Sequence, residues 1–325
     1  MPTFADPYFL DGTTLSDSTA VFQNSGLTIL APDGYYSDGV IIRQQVNGLF
    51  LPQFSCPACG LACGSYLPTS GSRGYYTMQI DTGTLPTAVG AITIKYAAGQ
   101  RPDGMYVEYD GVIYNELSSP YYGYLAAPPG QLTFIGQSSF NGVPGCDLVG
   151  ASPHTLNEYA FNGTSFVPTG GTQVVTVTPA QLQLTPTSPD NGPTWTPAQP
   201  KEWSVIVIPK TSPTPAVMTL TSVAACQNTA FLLDISCPAK IKGINASARY
   251  ETLTGICQAP LTSKLYPIRV TGVSPYLGLY DWIFLDEYGE NKAADGYYRT
   301  NNLTGTNDTI QVQNGTVIAI TNECP

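Results

Sequence analysis

The chain has 325 residues, 11% of them charged, and a formal net charge of −10 with only 13 lysines and arginines. A typical soluble domain is roughly 25% charged, and phosphate recognition needs clustered cations, so the composition argues against nucleic acid as a partner. No apolar run approaches the ~20 residues of a membrane span, and the length allows two to four domains, each with its own core.

In chain order, Met1-Pro2-Thr3-Phe4-Ala5-Asp6 has neither the basic start nor the apolar centre of a secretory signal, so synthesis in a cytoplasm is expected. The texture, poor in charge and rich in Gly, Thr and Tyr, is instead that of proteins working outside cells. A virion protein released by lysis satisfies both observations. Apolar positions recur with period two and Gly or Pro breaks nearly every stretch, which predicts an all-β chain. The expected architecture is several small β-sandwich, jelly-roll or Ig-like domains with a related β-hairpin module at each end.

Residues 1–80 read as an N-terminal β module with a Cys-rich turn and a following strand, Tyr75 to Ile80. Residues 81–225 read as a central β-sandwich of about eight strands, among them Ala91 to Tyr96, Met105 to Tyr109 and Val112 to Leu117. Asp110-Gly111 supplies a two-residue hairpin turn there. The Pro/Thr/Ser stretch Thr185 to Lys201 reads as a long loop of this domain. Residues 226–325 read as a C-terminal β domain that contains the second copy of the module.

The two copies are legible residue by residue. The first has Val21-Phe22, Ala31-Pro32-Asp33-Gly34-Tyr35-Tyr36, Asn47-Gly48 and Leu49-Phe50-Leu51. The second has Ile283-Phe284, Ala293-Ala294-Asp295-Gly296-Tyr297-Tyr298, Asn314-Gly315 and Val317-Ile318. Eleven positions separate Phe22 from Asp33 and Phe284 from Asp295, while the Asn-Gly pairs are offset by five more, as an insertion around Asn301 to Thr306 produces. Asp-Gly and Asn-Gly pairs supply the positive φ that tight turns need, and the Tyr pair places one ring on either face of its strand, either to fill a small core or to present a surface.

Eight cysteines raise metal and disulfide readings. Cys56, Cys59 and Cys63 offer three thiolates without a second knuckle, so zinc is disfavoured against disulfides. Cys226, Cys237, Cys257 and Cys324 form an even set in one β region, the better disulfide candidates. No cofactor or metal is expected. The sole histidine, His154, has no nucleophile elbow or metal partner nearby in sequence. Two carboxylate groups, Asp103/Glu108/Asp110 and Asp281/Asp286/Glu287, are candidates for glycoside cleavage, although acidic residues beside β-turns are usually turn formers. No catalytic residue is assigned.

The stretch Phe22 to Cys59, with its core Asp33-Gly34-Tyr35-Tyr36-Ser37-Asp38-Gly39-Val40-Ile41-Ile42-Arg43, resembles modules in structural proteins of tailed phages infecting Bacteroidota, including crAss-like phages. The ending Asp308 to Thr321 is similar to the carboxyl ends of such proteins, and the Arg101 to Tyr114 hairpin and the Trp203 to Lys210 strand share the likeness. The resemblance implies a virion component and carries no active-site residues.

The expected function is therefore a non-enzymatic virion structural protein, either a tail or head fibre or a capsid decoration. Its expected partners are other virion proteins and further copies of itself, with a trimer favoured because symmetric assembly buries the apolar module faces. Contact with host surface glycan is the second role, through Tyr121, Tyr122, Tyr124 and Trp195, whose rings suit either recognition or interface packing. The alternatives are a tailspike-like polysaccharide depolymerase and a bacterial surface adhesin, the latter disfavoured by the missing signal.

Overall fold

Strands that alternate apolar and polar residues bury one face each, so they must stack in layers or close into barrels. The computed structural model describes residues 8–37, 41–52, 54–55, 61–71, 73–97, 103–118, 133–135, 153–175, 204–224, 226–227, 229–270, 277–303 and 306–321. Among the described residues there is no α-helix, and the architecture is all-β in several sheets. The chain divides into two compact units, residues 1–61 with 161–167, and residues 62–160 with 168–325.

The first unit holds β1 (Phe9–Leu10), β2 (Val21–Phe22), β3 (Gly34–Ser37), β4 (Ile41–Val46), β5 (Leu49–Phe50) and β6 (Phe54–Ser55). β1 pairs with β2, while β3, β4 and β5 form a meander that β6 joins through β4. Leu15, Val21 and Ala31 form its core, with Leu10, Tyr36 and Phe50 packed against them.

The chain passes through β7 (Leu61–Ala62) into the second unit, which opens with a two-layer sandwich. One layer runs in the order β16 (Ser204–Lys210), β10 (Gly90–Ala97), β18 (Thr229–Ile235), β8 (Tyr66–Gly71). The other runs β12 (Val112–Tyr114), β11 (Asp103–Tyr109), β17 (Val217–Ala224), β9 (Gly74–Asp81). Successive strands change layer at β8 to β9, β9 to β10, β10 to β11, β16 to β17 and β17 to β18, and only the Asp110-Gly111 hairpin keeps β11 and β12 together. That path is a jelly roll, two Greek keys wound into one sandwich. β13 (Thr133–Ile135) adds to β11, and β14 (His154–Phe161) and β15 (Phe166–Val175) extend the second layer beyond β9, with β14 parallel to it.

The layers meet on aromatic rings. Phe231 packs against Tyr76 and Tyr96, each with ring centroids 5.8 Å apart, and the Tyr96 hydroxyl lies 3.1 Å from Ser222 Oγ. The sandwich takes in residues 66–81 and 229–235, on either side of the span 81–225 that periodicity marks out. β9 belongs to it because its hydrogen bonds go to β17, over eight consecutive pairs from Gly74↔Ala224 to Asp81↔Val217.

The chain then forms a closed six-stranded barrel, β19 (Ile244–Ala246), β20 (Ser263–Ile268), β21 (Trp282–Phe284), β24 (Thr316–Thr321), β23 (Thr306–Gln313) and β22 (Gly296–Leu303), returning to β19. Its core is Ala246, Leu265, Leu277, Ile283, Ala293, Tyr298, Ile310, Val312 and Val317. The ring closes where Ala246 pairs with Thr300 and where Tyr250 exchanges both backbone hydrogen bonds with Tyr297, at 2.9 and 2.8 Å.

The sequence repeat is a structural repeat. Phe22 bridges Leu30 as Phe284 bridges Lys292. Gly34 faces Gln45 and Tyr36 faces Arg43, as Gly296 faces Val312 and Tyr298 faces Ile310. The Tyr36 hydroxyl donates to Pro32 O as the Tyr298 hydroxyl donates to Ala294 O. Asn24 caps its loop by accepting from the N–H of Thr28 and Ile29, and Asp286 does so from Tyr288, Glu290 and Asn291. The extra residues of the second copy lengthen the β22–β23 hairpin, whose register shifts between Thr300 and Leu303.

Candidate functional site

Tyr121, Tyr122, Tyr124 and Trp195, the aromatics expected to face glycan, lie outside the described residues. Cys56, Cys59 and Cys324 lie outside them too. Cys63 is bonded to Cys237, across 174 residues, so it offers no thiolate, and the bond joins two groups that sequence order keeps apart. Cys226 and Cys257 are also disulfide-bonded. Among the described residues no group of three or more His, Cys, Asp or Glu side chains is placed to hold a metal ion, and no helix is long and apolar enough to cross a membrane.

The two carboxylate groups are spread by the strands that carry them. Asp103 is fully buried on the inner face of β11 with Met105, Val107 and Tyr109, Glu108 is exposed on the opposite face, and Asp110 occupies the hairpin turn. Seven residues of strand put Asp103 and Asp110 about 20 Å apart, against roughly 5–10 Å for a glycosidase pair. Asp281 is buried and accepts from the N–H of Val270 and Gly278 and from Arg269. Burial pushes its carboxyl above the ordinary range, against the pull of those donors. Burial acts to raise Asp286 as well, but the backbone N–H groups of its loop hold it below the usual value. Glu287 pairs with Lys240. Each carboxylate of this second group is thus committed to a fold contact.

His154 opens β14, with Nδ1 3.3 Å from Arg73 Nη2 and Nε2 buried without a hydrogen-bond partner. The contact to Arg73 is not one to a nucleophile.

Sequence reasoning missed a groove in the second unit where the barrel meets the jelly roll. About 270 Å3 in volume, it is lined by Tyr114, Glu116, Val207, Trp282, Glu290 and Lys292 among others. β12 and β16 supply one wall, and β21 with the loop that Asp286 caps supplies the other. Trp282 is anchored by donating from Nε1 to Val205 O at 2.9 Å. Lys292 Nζ stands 4.7 Å above the Trp282 ring and pairs with Glu116. Burial lowers the Lys292 pKa. An aromatic floor with carboxylates and one cation at its rim suits a small polar ligand with an apolar face. The sequence signal was Lys292 itself, which occupies the repeat position held by Leu30 in the first copy.

The first module differs from the second in a way that matters for assembly. In the second, the loop after β21 packs on the jelly roll: a Cβ added at Gly289 would lie 3.0 Å from Val207 and 3.4 Å from Ala91. In the first, the matching loop carries Leu27 in place of that glycine, and Leu27, Ile29 and Leu30 are all exposed, at 39%, 54% and 49%. Leu49 and Leu51, exposed at 62% and 40%, follow the Asn47-Gly48 turn over which Leu30 lies. Comparison with protein-family models, with curated proteins and with solved structures finds no match for the chain.

Proposed function

We propose that this chain is a non-enzymatic structural component of a virion, a tail or head fibre subunit or a capsid decoration protein, that works as a homo-oligomer with a trimer favoured. The observation that carries this reading is the apolar loop of the first module. The same module, repeated at residues 282–321, buries only Gly289 of its loop against a jelly roll and exposes the polar Glu290, Asn291 and Lys292, whereas the first copy exposes Leu27, Ile29 and Leu30, with Leu49 and Leu51. Exposed apolar clusters of this kind mark assembly surfaces. The engagement of Asp281, Asp286 and Glu287 in fold contacts supports a non-catalytic role, and the Cys63–Cys237 bond suits a particle that meets an oxidising medium after release.

The test is the solution mass of the purified chain by light scattering together with electron microscopy of particles from the source. A stable oligomer seen on the particle, reduced to monomer by Ile29→Ser with Leu49→Ser, is the expected outcome. A monomer absent from particles would overturn the reading. The groove beside Trp282 supports a second role, contact with host surface glycan. Glycan-array binding that disappears in Tyr114→Ala and Glu290→Ala, with melting temperature unchanged, is the expected result for it, and sugar release by the wild type would favour the depolymerase instead.

A further inference from the structure

The repeat places five of the six barrel strands in the first module. β1 and β2 pair as β20 and β21 do, with Phe9↔Phe22 matching Tyr266↔Phe284. The Phe50 N–H donates to Thr19 O as the Val317 N–H donates to Asp281 O, joining the two halves alike. β5, β4 and β3 then follow the order of β24, β23 and β22. Among the described residues nothing takes the part of β19 and the chain after it, which closes the second barrel against β22.

Two glycines show what stands at that edge. In the second copy a Cβ on Gly296 would lie 2.7 Å from Tyr250 O and 2.9 Å from the Arg249 side chain, and its φ is +149°, so the docked strand and the backbone both demand glycine. Gly34 occupies the same position in the first copy, where a Cβ would meet nothing within 4 Å and φ lies outside the left-handed region. Nothing in the described chain requires glycine there; a strand docked along β3 would. The next residue, Tyr35, pairs with Gln44 as Tyr297 pairs with Gln311, so its N–H and C=O point outward, as those of Tyr297 do toward Tyr250.

We infer that the free edge of β3 at Gly34-Tyr35 is a docking slot for an extended, basic segment of a partner chain, added antiparallel as a further strand. Strand addition to an open edge supplies backbone hydrogen bonds for affinity and alternate side chains for specificity. The basic character follows from charge. Residues 1–61 contain five aspartates and one arginine, with no lysine or glutamate. The segment that fills the equivalent slot carries Arg249, next to the bridging Tyr250, and its Nη1 donates to the backbone carbonyl of Asp295 at 2.8 Å; Asp33 is the repeat counterpart of Asp295. The virion reading bears only on which protein supplies the segment.

A synthetic peptide carrying residues 242–250, with Lys242 and Arg249 and no acidic residue, is the probe, titrated into the full-length chain while amide exchange is followed at Tyr35 and Tyr297. The expected result is binding that slows exchange at Tyr35, weakens at least tenfold when the peptide arginine becomes glutamate, and weakens at least tenfold in Gly34→Val. A Cβ there meets no atom of the described residues, so the melting temperature of Gly34→Val should match the wild type, whereas Gly296→Val should lower it. Three results would overturn the inference: no binding at millimolar peptide, binding unchanged in Gly34→Val, or a Tyr35 amide already as protected as that of Tyr297 in the free chain. Purified protein suffices, so a negative here leaves the virion reading standing, and absence from particles leaves the slot standing.

Discussion

Arg43 shows how one residue adapts the repeated module. Its counterpart Ile310 is a fully buried core residue, but Arg43 reaches from β4 to four backbone carbonyls. Nη1 donates to Leu15, Ser16 and Ser18, Nε donates to Leu51 at 3.1 Å, and the guanidinium lies 4.7 Å over Phe50. Arg43→Ala should destabilise the first unit by about 2–4 kcal/mol, since it strands several acceptors at once. Arg43→Lys should recover little, because an ammonium cannot reproduce the fork; urea denaturation of both variants checks this. Lys210 and Tyr109 make a second buried polar knot. Lys210 Nζ donates to Pro213 O, Pro215 O and the Tyr109 hydroxyl, which itself donates to Pro215 O. Burial, with Asp110 and Tyr114 nearby, pushes the Tyr109 phenol up to about 12. The folded state thus resists ionisation that the unfolded chain undergoes near 10, so this contribution is intact below about pH 10 and is lost as pH rises toward 12. Tyr109→Phe should lose less stability than the wild type between pH 9 and 12, by up to about 2 kcal/mol.

At the scale of elements, the turns carry the repeat. The Asp33 carboxylate accepts from the N–H of Asn47 and Gly48, and the Asp295 carboxylate accepts from that of Asn314, so each Asp-Gly is tied to the Asn-Gly turn of its own copy. Asp295→Ala should cost the barrel about 1–2 kcal/mol, read as a lower denaturation midpoint. The Asn47-Gly48 and Asn314-Gly315 turns were legible because few residues adopt positive φ, whereas Asp33-Gly34, expected to do the same, opens a strand without it; the strands Ala91 to Tyr96 and Met105 to Tyr109 were legible because their burial alternates. The allegiance of β9 and β18 was not, since it depends on partners such as Tyr66 for Asp234, far apart in sequence. Nor did the sequence reveal the closure by Tyr250, whose role depends on a single pair of backbone bonds, or the groove at Trp282, assembled from strands of three sheets.

For the whole molecule, the Cys63–Cys237 bond is a covalent constraint across 174 residues. Closing a loop of 174 residues removes denatured-state entropy worth at most about 5 kcal/mol on a chain-entropy model. Cys63→Ser with Cys237→Ser, or reductant, should therefore lower the urea midpoint of the second unit, followed by tryptophan fluorescence; an unchanged midpoint would show that the jelly roll needs no such tie. Local spacing concealed the pairing because Cys63 sits beside Cys56 and Cys59 in sequence while its partner lies just past β18. The position of the bond has a mechanical consequence. Cys63 comes before β8 and Cys237 after β18, so the covalent path of tension applied at the two ends of the chain runs through the sulfurs and not along the jelly-roll strands. About 600 Å of slack, the contour of the 174-residue loop, stays locked under load. The link behaves as an inextensible strap, and only reduction would turn it into a tether that yields.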